Sequence, residues 1–183
     1  MHTYIAILRG INVSGHKIIK MEALRALCES LGFKNTKTYI QSGNIIFQCK
    51  KTIPAELEKK ITTAIAETFN FEVPVIVKDA NDLKTVIKNN PFLKRKEDIT
   101  KLHVTFLNNE PDKSSVDKIK ECVYTEDEFT LSEKAVYLFC TNGYGNTKLT
   151  NTFFENKLKV SATTRNLKTL TELLNIAEQV EQL

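Results

Sequence analysis

Apolar and polar positions divide the chain into short strand-like runs and longer helical stripes that recur in one order. TYIAIL (3–8) is a strand-length apolar run. Over 20–31, Met21, Leu24, Leu27 and Leu31 return at helical spacing, and Gly32 stands where a C-terminal cap belongs. TKTYIQSGNIIFQC (36–49) reads as a hairpin with Ser42-Gly43 as a two-residue turn. Pro54 opens a helix over 54–69 whose Leu57, Ile61, Ile65 and Phe69 share a face. VPVIVK (73–78) supplies a fourth strand, and the order is βαββαβ.

A short helix over 81–89 turns Leu83, Val86 and Ile87 inward. KNNPFLKRKEDIT (88–100) is polar, carries a proline and breaks the periodicity, so it reads as a connector and boundary. The order then repeats. LHVTFLN (102–108) is a strand, and 114–123 is a helix through Val116, Ile119 and Val123. EFTLSEKAVYLFC (128–140) is a hairpin turning at Ser132–Lys134, 149–158 is a helix and VSA (160–162) a short strand. A final helix over 167–181 carries Leu170, Leu173, Leu174, Ala177 and Val180. The repeat lies in the order of elements and not in the residues. It predicts an α+β protein of two ferredoxin-like (split βαβ) α/β-sandwich subdomains with antiparallel sheets, over 1–90 and 91–183, the second ending in the terminal helix.

Composition allows two small cores: of 183 residues, 42% are hydrophobic and 26% charged. No apolar run approaches the roughly 18 residues that span a bilayer, and MHTYIAILRG lacks the apolar length and cleavage site of a secretory signal. A cytoplasmic location and no membrane partner are expected. Cys28, Cys49, Cys122 and Cys140 form no C-x-x-C pair, and His2, His16 and His103 are scattered. Reduced, buried thiols are expected, with no metal site and no cofactor. Net charge is +4, but residues 1–90 carry 13 Lys+Arg against 8 Asp+Glu, whereas 91–183 carry 13 against 14. The basic half favours an anionic ligand there; ordinary solubilising charge is the alternative.

The chemistry concentrates in ILRGINVSGHKIIKM (7–21). In a ferredoxin-like sheet of spatial order 4-1-3-2, the loop after the first strand and the turn between the second and third share an edge with the start of the first helix. That edge would gather Arg9, Asn12, Ser14, His16, Lys17, Lys20, Gln41 and Asn44, with no acidic residue between Arg9 and Glu22. Gly10, Gly15 and Gly43 would let backbone amides approach a ligand, and a helix start attracts anions. Two readings stand together: an anion site, or a tight loop in which Arg9 pairs or snorkels.

Several motifs fail on their details. Gly10 to Lys17 approximates a phosphate-binding loop, but His16 replaces the lysine, Ile18 lacks the metal-holding hydroxyl, and that loop belongs to a parallel sheet. Ser14 and Lys17 match S-x-x-K by spacing alone. Glu126, Asp127 and Glu128 read as a solvated run, and His103 as an ordinary strand histidine. A ferredoxin-like sheet can also stack RNA bases on an open face. Pairing Gln41 with Asn44 puts Tyr39 and Ile46 on that face with Lys37 and Gln48, and Thr38, Ile40, Ile45 and Phe47 on the other, so Tyr39 is a lone aromatic. SATTRNLKTL (161–170) reads as a helix start, with Thr163, Thr164 and Asn166 as N-caps and Arg165 opposing the dipole.

LRGINV (8–13) with Gly15 and KM (20–21), YIQSGNIIF (39–47) and TTRN (163–166) together resemble the bacterial domain-of-unknown-function family sixteen-ninety-seven, over essentially the whole chain. The resemblance implies the two-subdomain α+β architecture and no established activity, cofactor or catalytic residue. Two positions depart from the family's pattern: Ser14 replaces a glycine, and Leu167 a tryptophan. Arg9, Asn12, Gln41, Ser42, Asn44, Thr163, Thr164, Arg165 and Asn166 coincide with its signature positions, which adds weight to a site. The resulting expectation is a cleft between the subdomains that binds an anionic ligand, phosphorylated or nucleic acid, through Arg9, Asn12, Lys17, Gln41, Ser42, Asn44, Thr164, Arg165 and Asn166. The alternatives are an enzyme acting on a small phosphorylated metabolite, with His16 and Ser14 as the nearby reactive groups, or a protein–protein adaptor marked by an exposed apolar patch.

Overall fold

The computed structural model describes residues 1–122 and 126–183. The first set of elements is β1 (His2–Leu8), α1 (Met21–Ser30), β2 (Lys34–Tyr39), β3 (Asn44–Cys49), α2 (Pro54–Phe69) and β4 (Val75–Asp79). Two short helices follow, α3 (Ala80–Lys88) and α4 (Pro91–Lys94). The second set is β5 (Leu102–Leu107), α5 (Lys113–Lys120), β6 (Glu128–Ser132), β7 (Ala135–Phe139), α6 (Asn151–Leu158) and β8 (Ala162–Asn166), and α7 (Leu167–Glu181) closes the chain. The strands form two four-stranded sheets, β2-β3-β1-β4 and β6-β7-β5-β8, with every pairing antiparallel. Both have the expected 4-1-3-2 order, so the α+β, doubled ferredoxin-like architecture is the fold. Val123, expected on the face of α5, lies outside the described residues. Among the described residues no helix is long and apolar enough to cross a membrane.

Contacts group the chain into two compact units, Met1–Lys84 with Glu172–Leu183, and Thr85–Thr171. In the first, Tyr4, Ala6 and Leu8 of β1, Ile45 and Phe47 of β3, and Val75 and Val77 of β4 pack with Leu24 and Cys28 of α1 and Leu57, Ile61 and Ile65 of α2. Alternation sends Ile5, Ile7 and Ile46 to the opposite face, and these too are buried. Buried Gln48 sits on that face, where its amide donates to Thr3 Oγ1 at 3.2 Å and to the Val180 carbonyl, near the end of α7, at 3.1 Å. Over β1 and β3 this face is closed to solvent, so there it is no open platform for stacking bases.

In the second unit, Leu107, Val136, Leu138 and Ala162 pack with Ile119 of α5 and with Phe154 and Leu158 of α6. The stretch read as a polar connector is partly built into this unit. Asn90 caps α4, buried Phe92 lies 6.0 Å from the Phe139 ring, and Arg95 stacks over Phe92 at 5.2 Å. Arg95 also forks onto Glu128, donating to both carboxylate oxygens at 2.8 and 3.0 Å. One phenylalanine and one arginine make no periodic pattern, which is why the sequence showed only a polar break.

Replacing Gln48 by alanine leaves the Val180 carbonyl without its buried donor. Urea unfolding of Gln48→Ala is expected to show a loss of about 1–3 kcal/mol.

Candidate functional site

The loop from Arg9 to Lys20 takes its shape from the strands beside it. The Leu8 amide donates to the Gly43 carbonyl at 2.8 Å and the Arg9 amide to the Pro74 carbonyl at 3.0 Å, so the loop leaves β1 tied to both neighbouring connections. The chain then doubles back as a small hairpin. The Asn12 amide donates to the Lys17 carbonyl at 3.2 Å, and the His16 amide to the Val13 carbonyl at 2.9 Å. Ser14 and Gly15 form its tip with φ of 48° and 77°, the two left-handed residues that a tight hairpin turn requires.

Asn12 joins this hairpin to the rest of the edge. Its Nδ2 donates to the Ile19 carbonyl at 2.9 Å and the Gln41 carbonyl at 2.8 Å, and its Oδ1 accepts from the Ile19 amide at 2.9 Å. The Arg9–Lys20 loop and the β2–β3 turn therefore do share one edge.

That turn differs in detail from the expectation. Tyr39, not Gln41, lies opposite Asn44, so residues 40–43 make a four-residue connection. The register moves by two, an even number, so the paired residues keep their expected faces; Ile40, expected on the face under the helices, instead lies in the turn and is exposed. Buried Asn44 folds back to donate to the Tyr39 carbonyl at 3.0 Å and Ser42 Oγ at 3.1 Å. Ile40 takes φ 51° and Gly43 φ 80°. A Cβ on Gly43 would stand 2.6 Å from Ile11 Cδ1 and 2.8 Å from Leu8 Cβ, so glycine is demanded there by contact as well as by backbone angle.

Asn12 and Asn44 thus spend their amides on the shape of the edge. Exposed Lys17 donates to the Glu72 carbonyl at 2.6 Å; exposed His16, Lys20 and Gln41 and the half-buried Arg9 and Ser42 complete the polar rim. The start of α1 has Lys20 in the capping position with no side-chain cap, and Glu22 in its first turn.

TTRN occupies a different setting. Thr163, Thr164 and Arg165 lie in β8, opposite Phe106, Thr105 and Val104, and α7 begins only at Leu167. α7 thus starts where its apolar spacing puts it, but Thr163 and Thr164 are corrected from caps to strand residues, as two adjacent β-branched threonines favour; of the expected caps only Asn166 acts as one, accepting from the Thr169 amide at 2.7 Å. The Thr164 hydroxyl is 2.7 Å from Thr105 Oγ1 and donates to Asn151 Oδ1 at 2.6 Å. Arg165 Nη1 donates to the Thr164 carbonyl at 3.0 Å; burial lowers its pKa to about 10, which still leaves it charged at neutral pH. Nearby, buried His103 stacks on Tyr144 at 5.0 Å, and burial holds its pKa below the usual histidine value. Arg9 belongs to the first unit and Arg165 to the second.

The family described as "Protein of unknown function (DUF1697)" matches residues 1–137. The chain belongs to this family. The matched span contains LRGINV and YIQSGNIIF and ends before TTRN. The fold is also that of a solved structure, the conserved bacterial protein SP0830 from Streptococcus pneumoniae: TM-score 0.78 at 21% identity, covering 96% of this chain and 98% of that one. No curated protein matches. Among the described residues no three His, Cys, Asp or Glu side chains gather as metal ligands.

The pattern puts Ile40 in the strand on the buried face and assigns no structure to the hairpin tip; both are settled only by the fold. The Ser-Gly pair between Val13 and His16 was the available signal for the tip, whereas nothing local marks an isoleucine for left-handed backbone.

Three stability measurements check this geometry. Gly43→Ala is expected to cost about 1–3 kcal/mol in chemical denaturation. Ile40→Asn is expected to be neutral or to stabilise by up to about 1 kcal/mol, because asparagine tolerates left-handed φ. His103 binds its proton more weakly in the folded chain than in the unfolded one. Its contribution is therefore fully present above the unfolded value near 6.5 and is lost as pH falls below it. The slope of stability against pH in that range should flatten in His103→Gln.

Proposed function

We propose that the Arg9–Lys20 edge binds an anionic, phosphate-bearing ligand. One observation carries the reading: Arg9, His16, Lys17 and Lys20 stand on a loop without an acidic residue, and Asn12 holds that loop against Gln41 at the uncapped start of α1. A phosphate on this edge meets charge from Arg9, Lys17 and Lys20, an amide donor from Gln41 and the positive end of the helix dipole. The left-handed residues at Gly10, Ser14 and Gly15 bring backbone close to the surface with little side-chain cover. Asn12 and Asn44 are read as shaping the site, and Thr164 and Asn166 as holding strand and helix in their own unit. Nucleic acid is one carrier of such phosphates. The edge offers a backbone contact but no row of aromatics for bases.

Thermal melting against nucleotides, phosphosugars, short RNA and DNA, and organic acids tests the reading. A ligand at about 100 times its Kd stabilises by roughly 2.7 kcal/mol, or roughly 5–10 °C for a chain this size. The shift should vanish in Arg9→Ala and Lys20→Ala while both variants remain folded. A nucleic-acid shift should fall steeply with added salt, as counterion release requires. No shift with any phosphate compound would end the proposal.

A further inference from the structure

The same edge carries exposed apolar side chains that an anion site does not use. Among the described residues eight large apolar side chains are strongly exposed, and three of them are here: Val13 at 56%, Ile18 at 58% and Ile40 at 47%. Each adjoins a residue that Asn12 holds or is. Val13 follows Asn12, Ile18 precedes Ile19, and Ile40 precedes Gln41. Ile40 is also a β-branched residue at φ 51°, a backbone position that disfavours such a side chain. The fold thus presents an isoleucine to solvent at a backbone cost where asparagine or glycine would serve the turn better. An outlier of this kind points to a use for the side chain.

The surroundings say what the use is. Arg9, His16, Lys17 and Lys20 flank these apolar tips; the acids closest in the chain or by contact are Glu22 in the first turn of α1 and Glu72, whose carbonyl accepts from Lys17. The hairpin tip and the turn contain no Phe, Tyr or Trp, so unpaired bases would find no row of large aromatic rings. Aliphatic side chains interleaved along one loop with cations match a surface that is apolar beneath and anionic above. We propose that this edge docks on an anionic phospholipid surface, with Val13, Ile18 and Ile40 entering the interface and Arg9, Lys17 and Lys20 meeting headgroup phosphates. No spanning segment is needed, so this replaces the expectation of no membrane partner with a peripheral one. It stands on the exposed aliphatic residues, independently of the soluble-ligand reading.

Flotation of the full chain with phosphatidylcholine vesicles, with and without phosphatidylglycerol, tests it. The protein should float with the mixed vesicles and stay behind with phosphatidylcholine alone. The combined variant Val13→Ser, Ile18→Ser, Ile40→Asn should partition about tenfold less or weaker, since each methylene withdrawn from the interface weakens binding. Its melting temperature should match or exceed the wild type, and any thermal shift with soluble glycerol phosphate should persist. Lys20→Glu should weaken flotation and leave the fold intact. The proposal is overturned if the wild type ignores phosphatidylglycerol vesicles, or if the combined variant floats equally well. It is also overturned if RNA or polyglutamate, and not vesicles, is bound through Val13, Ile18 and Ile40. In the wild-type chain, a glycerol phosphate shift without vesicle binding removes only the docking; vesicle binding without that shift removes only the soluble-ligand site.

Discussion

A strand buried on both faces must find two apolar coverings, and β1 organises the first unit through that need. Tyr4, Ala6 and Leu8 take the α1 and α2 side, while Ile5 and Ile7 are buried on the other. Leu8, Ile5 and Ile7 each contribute roughly 1.5–3 kcal/mol when withdrawn from water. One of the ties on the second face comes from 132 residues along the chain, where the Val180 carbonyl meets the amide of Gln48. Closing so long a stretch of chain costs entropy that the packing of the unit must offset. β5 holds the same central place in the second sheet, between β7 and β8.

Where β1 ends, polar residues take over the work of shape. Asn12 ties three backbone groups, Asn44 folds the β2–β3 turn onto itself, and Gly43 leaves room for Leu8 and Ile11. The polar residues of LRGINV and YIQSGNIIF are therefore in part a set of internal fastenings. What remains facing solvent is a rim of cations with three aliphatic tips. The proposed phosphate site and the proposed lipid contact share its cations, and only the lipid contact also uses the aliphatic tips.

Much of the fold was legible because its elements are locally consistent. α2 and α7 carry apolar residues at helical spacing along their whole length, and their bounds follow that spacing. The shared edge was legible too, since strand order alone brings the loop and turn together. The hairpin register was not, because Ser42-Gly43 makes a plausible two-residue turn and only Asn44's buried hydrogen bonds select the longer one. Thr163 and Thr164 were misread as caps because threonine serves both strands and caps, and pairing with β5 decides between them.

By itself the sequence determined the element order, the doubled 4-1-3-2 sheets and the basic character of the opening loop, since periodicity, glycine placement and charge are local properties. Tertiary structure decided which polar residues are fastenings and which face solvent. It also set Ile40 in left-handed backbone and closed the second face of the first sheet over β1 and β3. Those outcomes depend on partners far away in the chain, and no local pattern specifies them.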